Sequence, residues 1–258
     1  MTTPARRGLS SVDGVALLVG VVIGMGVFQT PSLVAARAGG ETAALMLWVA
    51  GGVISLLGAL TYAELAAAYP DKGGEDVFLS KAYGERLALL FGWARLAVIQ
   101  PGTIAAAGFV AGAYVAPYTP LGEAGAGLVA AALVVATIAM NIAGVAMSTR
   151  AQGLLSLALA ASLVALTVAG FASPPAAAAT APSEPSTASW GAAMVFVLLA
   201  YGGWNEATYL AGEVRRPQRT MSLILVGGVA AVTLFYVGVN WAFLRALGHD
   251  GVVATDNV

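Results

Sequence analysis

The chain is short of charge and of the residues that metal and redox chemistry require. Its 258 residues contain no cysteine and one histidine, which excludes a disulfide framework and a Cys-ligated zinc site. The same shortage argues against a multi-histidine metal site or a Ser-His-Asp triad. Charged residues make up 10%, against roughly 25% in an average soluble domain. The net charge of −1 leaves no basic excess for a nucleic acid, so a disordered chain, a nucleic-acid-binding protein and an ordinary soluble enzyme are all excluded.

Apolar sequence is what the chain has in abundance. Apolar residues make up 59% of it, and the mean hydropathy is +0.84. A helix that crosses a bilayer needs about 20 mostly apolar residues. Seven stretches meet this requirement, so we predict an all-α polytopic membrane protein without room for a separate soluble domain. The predicted spans are 12–36, 42–68, 86–114, 124–146, 151–171, 190–211 and 220–244.

Lysine and arginine predict the direction in which the spans run, because cytoplasmic loops carry an excess of both. With a cytoplasmic N-terminus, nine of these residues lie on the inner side, two on the outer side, and Arg95 within the third span. We therefore expect a cytoplasmic N-terminus, a location in the cell membrane, and an external Pro/Ala-rich loop at 172–189. The inner set is Arg6, Arg7, Lys72, Lys81, Arg86, Arg150, Arg215, Arg216 and Arg219, and the outer pair is Arg37 and Arg245.

Two of the predicted spans contain closely spaced glycines, Gly24-Met25-Gly26 in the first and Gly202-Gly203 in the sixth. Glycine weakens a helix, and unwound backbone at membrane depth is tolerated where it lines a cavity. The first span runs outward and the sixth inward, so two units of five helices would be related by an inverted repeat. Glycine also serves close helix packing. Interrupted spans at matching positions of two halves nevertheless indicate a transporter site.

The ends of a broken span favour a zwitterionic ligand. The first half of span one is predicted to end near Ile23 and to present free carbonyl groups, and the second half to begin near Gly26 and to present free N–H groups. N–H groups at a helix start attract an anion, whereas carbonyl oxygens attract an ammonium group. An amino acid carries both charges, so it could bind in this gap without a charged side chain.

Four motifs occur along the chain in the order and spacing of a known family. They are GVVIGMGVFQTP at 20–31; YAEL at 62–65 with glycines at 73–74, 84 and 92 and a tryptophan at 93; NIAG at 141–144 with RAQ at 150–152; and AYGGWN at 200–205 with EVRRP at 213–217. On these motifs the chain resembles amino-acid permeases of the amino acid–polyamine–organocation superfamily, closest to the L-type amino-acid transporter branch. The resemblance implies a LeuT-type five-plus-five inverted-repeat fold and alternating access around a midplane site.

The resemblance also implies roles for individual residues. The substrate carboxylate would meet the N–H groups of Gly26 and Val27, and the amino group would meet carbonyls at Val22, Ile23 and Leu199. Side chains at the sixth span and, more weakly, at the third would shape the pocket or its gates. The implied substrate-binding set is Val22, Ile23, Gly24, Met25, Gly26, Val27, Ile99, Thr103, Leu199, Ala200, Tyr201, Gly203, Trp204 and Asn205.

The chain departs from the family pattern in several ways. The family has twelve spans and seven are counted here, so we expect an N-terminal portion with a complete first repeat at 1–171 and the start of a second at 190–258. Met25 replaces the serine of the family's glycine-serine-glycine. Leu159 stands nearest to a lysine that many relatives carry in span five. Without cysteine, the disulfide to a partner glycoprotein seen in animal members is excluded.

Ionisable residues in or near the spans are candidates for gating or coupling. Glu206 follows the second glycine pair and could contact a cationic substrate, relay a proton or hold a gate, or it could be a solvated carboxylate. Arg95 could reach the cytoplasmic face or pair with Glu64 or Glu213 as an inner gate, although Glu64 alone fits an interfacial role better.

We therefore predict a secondary transporter of amino acids in the lipid bilayer, with no enzymatic chemistry, cofactor or metal. A polyamine or organic-cation transporter of the same fold is the alternative, permitted by Glu206 and the scarcity of basic residues in the spans. A seven-helix receptor is a remote alternative that the predicted cytoplasmic N-terminus disfavours. A retinal protein would need a lysine in the last span, and 220–244 has none.

Overall fold

A computed structural model of the protein describes residues 10–24, 26–71, 73–176, 189–212, 214 and 217–255. Across these residues the backbone is helical and forms no β-strand, which confirms the all-α prediction. The α-helices are α1 Ser11–Val22, α2 Gly26–Ala38, α3 Glu41–Ala68, α4 Glu75–Tyr83, α5 Glu85–Ala94, α6 Gln100–Val115, α7 Ala126–Ala143, α8 Val145–Ala172, α9 Trp190–Tyr201 and α10 Pro217–Ala254. A π-helical turn covers Arg95–Ile99, and 3₁₀ segments cover Ala116–Tyr118, Glu123–Gly125 and Trp204–Leu210.

The described residues contain five helical segments long and apolar enough to cross a bilayer, or six if the bent pair α1–α2 counts as one span. The five are Glu41–Ala68, Glu85–Tyr118, Glu123–Ala143, Leu154–Ala172 and Pro217–Ala254, and each overlaps a predicted span. The predicted span 190–211 is not among the five, because α9 ends at Tyr201 and has only 12 residues. At 1.5 Å per residue α9 is about 18 Å long, well short of a hydrocarbon core of about 30 Å. The protein is thus a multi-pass membrane protein.

Two compact units make up the structure. The first comprises Met1–Phe78 and Leu163–Val258, and the second comprises Leu79–Ser162. In the first unit α10 packs against α3, α1 and α2, and α9 packs against α2 and α3. In the second unit the main packing is between α6 and α7. Both helix breaks lie in the first unit, so the candidate site is built by that unit.

Small residues allow the helices of the first unit to approach closely. A Cβ built on Gly228 of α10 would lie 2.7 Å from Leu18 of α1, and one on Gly170 of α8 would lie 2.8 Å from the backbone of Ala242 in α10. Such contacts leave no room for a larger side chain, as is common where membrane helices pack. α6 and α7 of the second unit meet in the same way, since Gly112 packs against Ala130.

The C-terminal end of α2 is held by hydrogen bonds to its last carbonyl groups, which have no donor within the helix. The Trp190 Nε1–H donates to Ala38 O at 3.0 Å, and the Ser189 N–H donates to Arg37 O at 3.1 Å. The Arg37 guanidinium also lies 4.8 Å from the centre of the Phe196 ring. The end of α2 is thereby tied to the start of α9, and this contact joins the two interrupted segments at the ends that lie away from the breaks.

Candidate functional site

The first break separates α1 from α2. α1 ends at Val22, and Ile23 has an extended backbone with φ −74° and ψ 94° whose N–H still donates to Val19 O at 2.9 Å. α2 begins at Gly26, and its axis is bent by 56° from that of α1. Val22 and Ile23 are therefore the C-terminal end of one helix, while Gly26 and Val27 are the N-terminal end of the next.

The second break follows α9 directly. α9 ends at Tyr201, and the Gly202 N–H turns back to donate to Leu199 O at 3.1 Å. Gly203 adopts φ +103°, a left-handed conformation in which any side chain would be strained. The 3₁₀ segment Trp204–Leu210 begins immediately afterwards. The glycine pair thus ends the helix because its second member takes a backbone conformation that other residues rarely adopt.

The two breaks lie against each other. A Cβ built on Gly26 would lie only 2.9 Å from Ala200 Cα, so the start of α2 touches the last turn of α9. A Cβ on Gly203 would lie 3.4 Å from Val21 Cγ1 and 3.7 Å from Val21 O, so the second break touches the last turn of α1. The structure therefore brings together two segments that are almost 180 residues apart in the sequence.

Five of the predicted residues around these breaks are buried in the first unit. Val22, Ile23, Val27, Ala200 and Tyr201 all have side chains at most 7% exposed. Beside Gly24 the space is open, because the nearest atom to a Cβ built there is Val22 O at 4.0 Å. The end of α1, the start of α2 and the end of α9 meet through the contacts of Gly26 with Ala200 and of Gly203 with Val21, and each helix end carries backbone N–H or C=O groups without a partner in its own helix. Such an arrangement can accept a carboxylate and an ammonium group together.

Several other predicted residues are exposed, belong to the second unit or lie outside the described part of the chain. The Leu199 side chain is 70% exposed, so the contribution of Leu199 at the break is its backbone carbonyl. Ile99 and Thr103 belong to the second unit, where Thr103 Oγ1 donates to Ile99 O at 2.9 Å. Met25 and Glu213 lie outside the described residues, as do the 1–9 tail and most of the loop predicted at 172–189.

Trp204 and Asn205 lie in a second cluster beyond the break. The Asn205 Nδ2 amide and the Tyr62 hydroxyl both donate to Glu75 Oε1, each at 2.9 Å. The Trp204 ring packs edge-on against the Tyr62 ring with centroids 5.1 Å apart, and Phe78 packs on Tyr62 at 6.0 Å. We call these five residues the Glu75 cluster. It joins α3 and the start of α4 to the 3₁₀ segment that follows the second break.

The gating candidates are distributed over both units. The Glu206 N–H donates to Gly203 O at 3.1 Å, which places Glu206 in the first turn after the break. Glu64 lies exposed on α3. Arg95 begins the π-helical turn of the second unit, where the Gln100 N–H donates to Arg95 O. Pro101 follows and has no N–H to donate, which accounts for the local widening of that helix. The predicted ion pairs of Arg95 stay predictions.

Two residues of functional interest were not predicted. The Tyr236 hydroxyl of α10 lies 3.0 Å from both Val22 O and Ala200 O, at the ends of the two broken helices. Glu75 holds the cluster described above, whereas the predicted carboxylates were Glu64, Glu206 and Glu213. No local pattern marks either residue, because Tyr236 lies in an ordinary apolar span and Glu75 begins a short helix that directly follows a polar, glycine-containing turn.

Comparison with known proteins shows which sequences this chain is similar to. Residues 9–258 match the sequence profile of the family described as amino acid permease. The chain is 30% identical to the serine/threonine exchanger SteT of Bacillus subtilis, over 96% of this chain and 57% of that protein. It is 30% identical to human b(0,+)-type amino acid transporter 1, over 95% of this chain and 53% of that protein. It is 26% identical to the human cystine/glutamate transporter, over 98% of this chain and 52% of that protein. The chain spans about half the length of these curated relatives.

Proposed function

The chain belongs to the amino acid permease family, and from this premise we propose that the protein carries amino acids across the cell membrane by alternating access. The names of the relatives support amino acids as the cargo, since each is named as a transporter or exchanger of amino acids. The apolar spans support a membrane location. Transport of this kind requires binding and conformational change but no covalent step, in agreement with the prediction of a transporter rather than an enzyme.

The observation that carries the proposal is the meeting of two glycine breaks in the first unit. Helix ends at membrane depth are costly unless they line a cavity or meet a ligand. Gly26 at the start of α2 contacts Ala200 of α9, and Gly203 after α9 contacts Val21 of α1, which supports a site at these three helix ends. Interrupted spans in corresponding positions of two halves are the arrangement from which many transporters build their binding sites.

The substrate carboxylate is assigned to the N–H groups of Gly26 and Val27, in the first turn of α2. The substrate amino group is assigned to the carbonyls of Val22, Ile23 and Leu199. Val22 O and Leu199 O already accept one hydrogen bond each, from Tyr236 and Gly202. A carbonyl oxygen has two lone pairs, so each can accept a second hydrogen bond from an ammonium group.

The fold that fits this site is the five-plus-five inverted repeat of the LeuT type. Its first repeat would run over 1–171, and residues 190–258 would form the beginning of its second repeat, so that each repeat opens with a broken span. The excess of Lys and Arg on one side supports a cytoplasmic N-terminus. In this orientation the Glu75 cluster lies on the cytoplasmic side of the breaks.

The Glu75 cluster is assigned as an inner gate. It links the 3₁₀ segment after the second break to α3 and α4 through two hydrogen bonds on one carboxylate oxygen. Hydrogen bonds to a charged acceptor are stronger than neutral ones. Release of the Asn205 amide from Glu75 would let the 3₁₀ segment move away from α4 and open the cytoplasmic side.

Glu206 is assigned to proton coupling. It lies one turn after Gly203, so that a change in its charge acts directly at the second break. The same carboxylate could instead meet the second charge of a diamine, so the position of Glu206 directly after the second break favours a polyamine transporter as the second candidate function.

The proposal is tested by uptake of radiolabelled amino acids into proteoliposomes that contain the complete natural chain. The panel holds neutral, acidic and basic amino acids and a diamine, each measured with and without amino acid trapped inside. Liposomes without protein give the background rate. Saturable uptake that needs internal amino acid would support an exchanger, and uptake driven by an imposed proton gradient would support a proton-coupled permease.

Two results would count against the proposed transport of amino acids. Preferred uptake of the diamine would favour the polyamine alternative over an amino-acid carrier. No uptake of any panel member by protein that elutes as a single folded species would contradict transport of amino acids altogether.

A further inference from the structure

The C-terminal end of α2 is held by donors from two distant parts of the chain. The last four carbonyl groups of a helix have no donor within that helix, and in α2 three of these four accept hydrogen bonds from elsewhere. The start of α9 supplies two of the donors, as described above. The third contact is made by His249, whose Nε2 lies 3.1 Å from Ala35 O. Of these donors, only the histidine ring gains or loses a proton near neutral pH.

A bend in α10 brings His249 to the end of α2. Gly248 has φ +72° and ψ 169°, a left-handed conformation that favours glycine, and it interrupts the helix directly before His249. The His249 backbone N–H donates to Glu41 Oε1 at the start of α3, at 3.2 Å. On the other side of the bend, the Ala176 N–H donates to Arg245 O at 2.9 Å. The bend and these two hydrogen bonds fix the imidazole ring beside α2.

Both nitrogens of the His249 ring face oxygen atoms. Nε2 faces Ala35 O, and Nδ1 lies 3.4 Å from Asp250 Oδ1. A carbonyl oxygen and an ionised carboxylate can only accept hydrogen bonds, whereas a neutral imidazole has a single N–H to donate. Either neutral tautomer therefore leaves one nitrogen lone pair facing an oxygen. Only the protonated ring, which has two N–H groups, can make both contacts at once.

The charged side chains at this end of the first unit are mostly acidic towards the ring. Glu41 of α3 and Asp250 both contact His249 directly. The guanidinium of Arg37 on α2 packs instead on an aromatic ring of α9, and the Arg245 side chain is exposed on α10 one turn before His249. A proton on the ring therefore lies between two carboxylates, and hydrogen bonds that involve charged groups are stronger than neutral ones. The ring is 19% exposed, so it can exchange protons with water.

We propose that His249 is a pH-sensitive latch on α2: the protonated ring holds the C-terminal end of α2 in place, and loss of the proton releases that end. The side of the membrane rests on the proposed function, since a cytoplasmic N-terminus places this end of α2 outside. α2 begins at Gly26, where the substrate carboxylate is assigned, so movement of α2 changes access to the site. External acid should therefore keep the external side closed.

The test is external labelling of a cysteine at position 34. Val34 lies on α2 beside Ala35 and is 0% exposed, so Val34→Cys reports release of this helix end. The complete natural chain, with this cysteine as its single one, is placed in right-side-out membrane vesicles. A membrane-impermeant maleimide is then added outside at about pH 5.5 and about pH 8, on either side of the range in which histidine titrates.

A His249→Phe variant of the reporter protein supplies the reference rate. A thiol itself reacts faster at higher pH, so each labelling rate is divided by that of His249→Phe at the same pH. With His249 present, this ratio should be about one-tenth at the acidic pH, which is the effect of one hydrogen bond to a charged group. The ratio should rise towards one at the alkaline pH, where the ring is neutral.

Two further variants separate the latch from a general loss of packing. Asp250 is 61% exposed, so Asp250→Asn should fold; its amide can donate to Nδ1 of a neutral ring and leave Nε2–H for Ala35 O. This variant should protect the reporter equally at both pH values. Thr255→Val is the matched control, because it loses the 2.7 Å hydrogen bond from Thr255 Oγ1 to Gly251 O in the same segment but no titrating group. It should keep the full pH dependence.

The outcomes distinguish the latch from the proposed function. Equal ratios at the two pH values, in a protein that takes up amino acids, would overturn the latch and leave the proposed function intact. A pH dependence that persists in Asp250→Asn would also overturn the latch, as would a reporter that reacts only with maleimide added inside. The expected labelling pattern in a protein that transports no amino acid would support the latch and contradict the proposed function alone.

Discussion

Gly26→Ala adds one methyl group at the contact between the two helix breaks. The new Cβ would lie 2.9 Å from Ala200 Cα, closer than real Cβ atoms approach other atoms, and 3.1 Å from Ala200 Cβ, which is also tight. Ala200 Cα is backbone, so no side-chain rotation can relieve the contact. The start of α2 and the end of α9 must therefore separate by a few tenths of an ångström. Overpacking of this kind costs about 1–3 kcal/mol.

The separation moves the N–H groups of Gly26 and Val27 away from the carbonyls of α1 and α9. We expect the variant to lose about 1–3 kcal/mol of stability and its affinity for amino acid to fall about tenfold, equivalent to about 1.4 kcal/mol. Thermal unfolding of the purified protein measures the first effect, and equilibrium binding of a radiolabelled amino acid measures the second.

Gly227→Ala is the control for Gly26→Ala. Gly227 lies within α10, and the nearest atom to its Cβ would be Val15 Cγ2 at an ordinary 3.9 Å. Alanine should be neutral there or stabilise the helix by about 0.5–1 kcal/mol. If Gly26→Ala has the same thermal stability and the same affinity for amino acid as Gly227→Ala, the two breaks do not depend on their close contact, and the reasoning is refuted.

Three further changes test other parts of the account. Gly203→Ala should cost about 1–2 kcal/mol in thermal unfolding, because alanine is strained at φ +103°, and equal stability would contradict this. Glu75→Ala removes the acceptor of two hydrogen bonds. It should raise about tenfold the rate at which maleimide labels a cysteine reporter, Ala207→Cys, at a position that is buried in the wild type. An unchanged labelling rate argues against an inner gate. Glu206→Gln should change the pH dependence of uptake, and an unchanged pH profile would remove its coupling role.

The positions of the helix ends follow from local chemistry and could be predicted from the sequence. Gly26 begins α2, and α9 ends immediately before Gly202. Glycine weakens a helix, but the pairs Gly51-Gly52 and Gly227-Gly228 lie inside the helices α3 and α10. The two breaks were predicted because their glycines also stand at matching places in the two halves. The apolar spans could also be predicted, because bilayer thickness sets the length of apolar sequence that a membrane-spanning helix needs.

The contacts between distant segments could not be predicted. Tyr236 bonds to a carbonyl 214 residues earlier in the chain, and Asn205 bonds to Glu75 across 130 residues. Nothing in the apolar sequence around Tyr236 indicates which helix it faces. Asn205 was predicted to shape the substrate pocket or its gates, but its hydrogen bond to Glu75 was not predicted, because it depends on the 3₁₀ segment turning the Asn205 side chain towards α4. The π-helical turn at Arg95–Ile99 also escaped prediction, since it depends on how Pro101 is accommodated.

The most direct test of the central claim is an experimental structure of the complete natural chain with a transported amino acid bound. The account predicts the ligand beside Gly24, with its carboxylate on the N–H groups of Gly26 and Val27 and its ammonium group on the carbonyls at the ends of α1 and α9. A ligand bound elsewhere, or bound in this gap with its two charged groups reversed, would contradict the assignment of these helix ends as the substrate site.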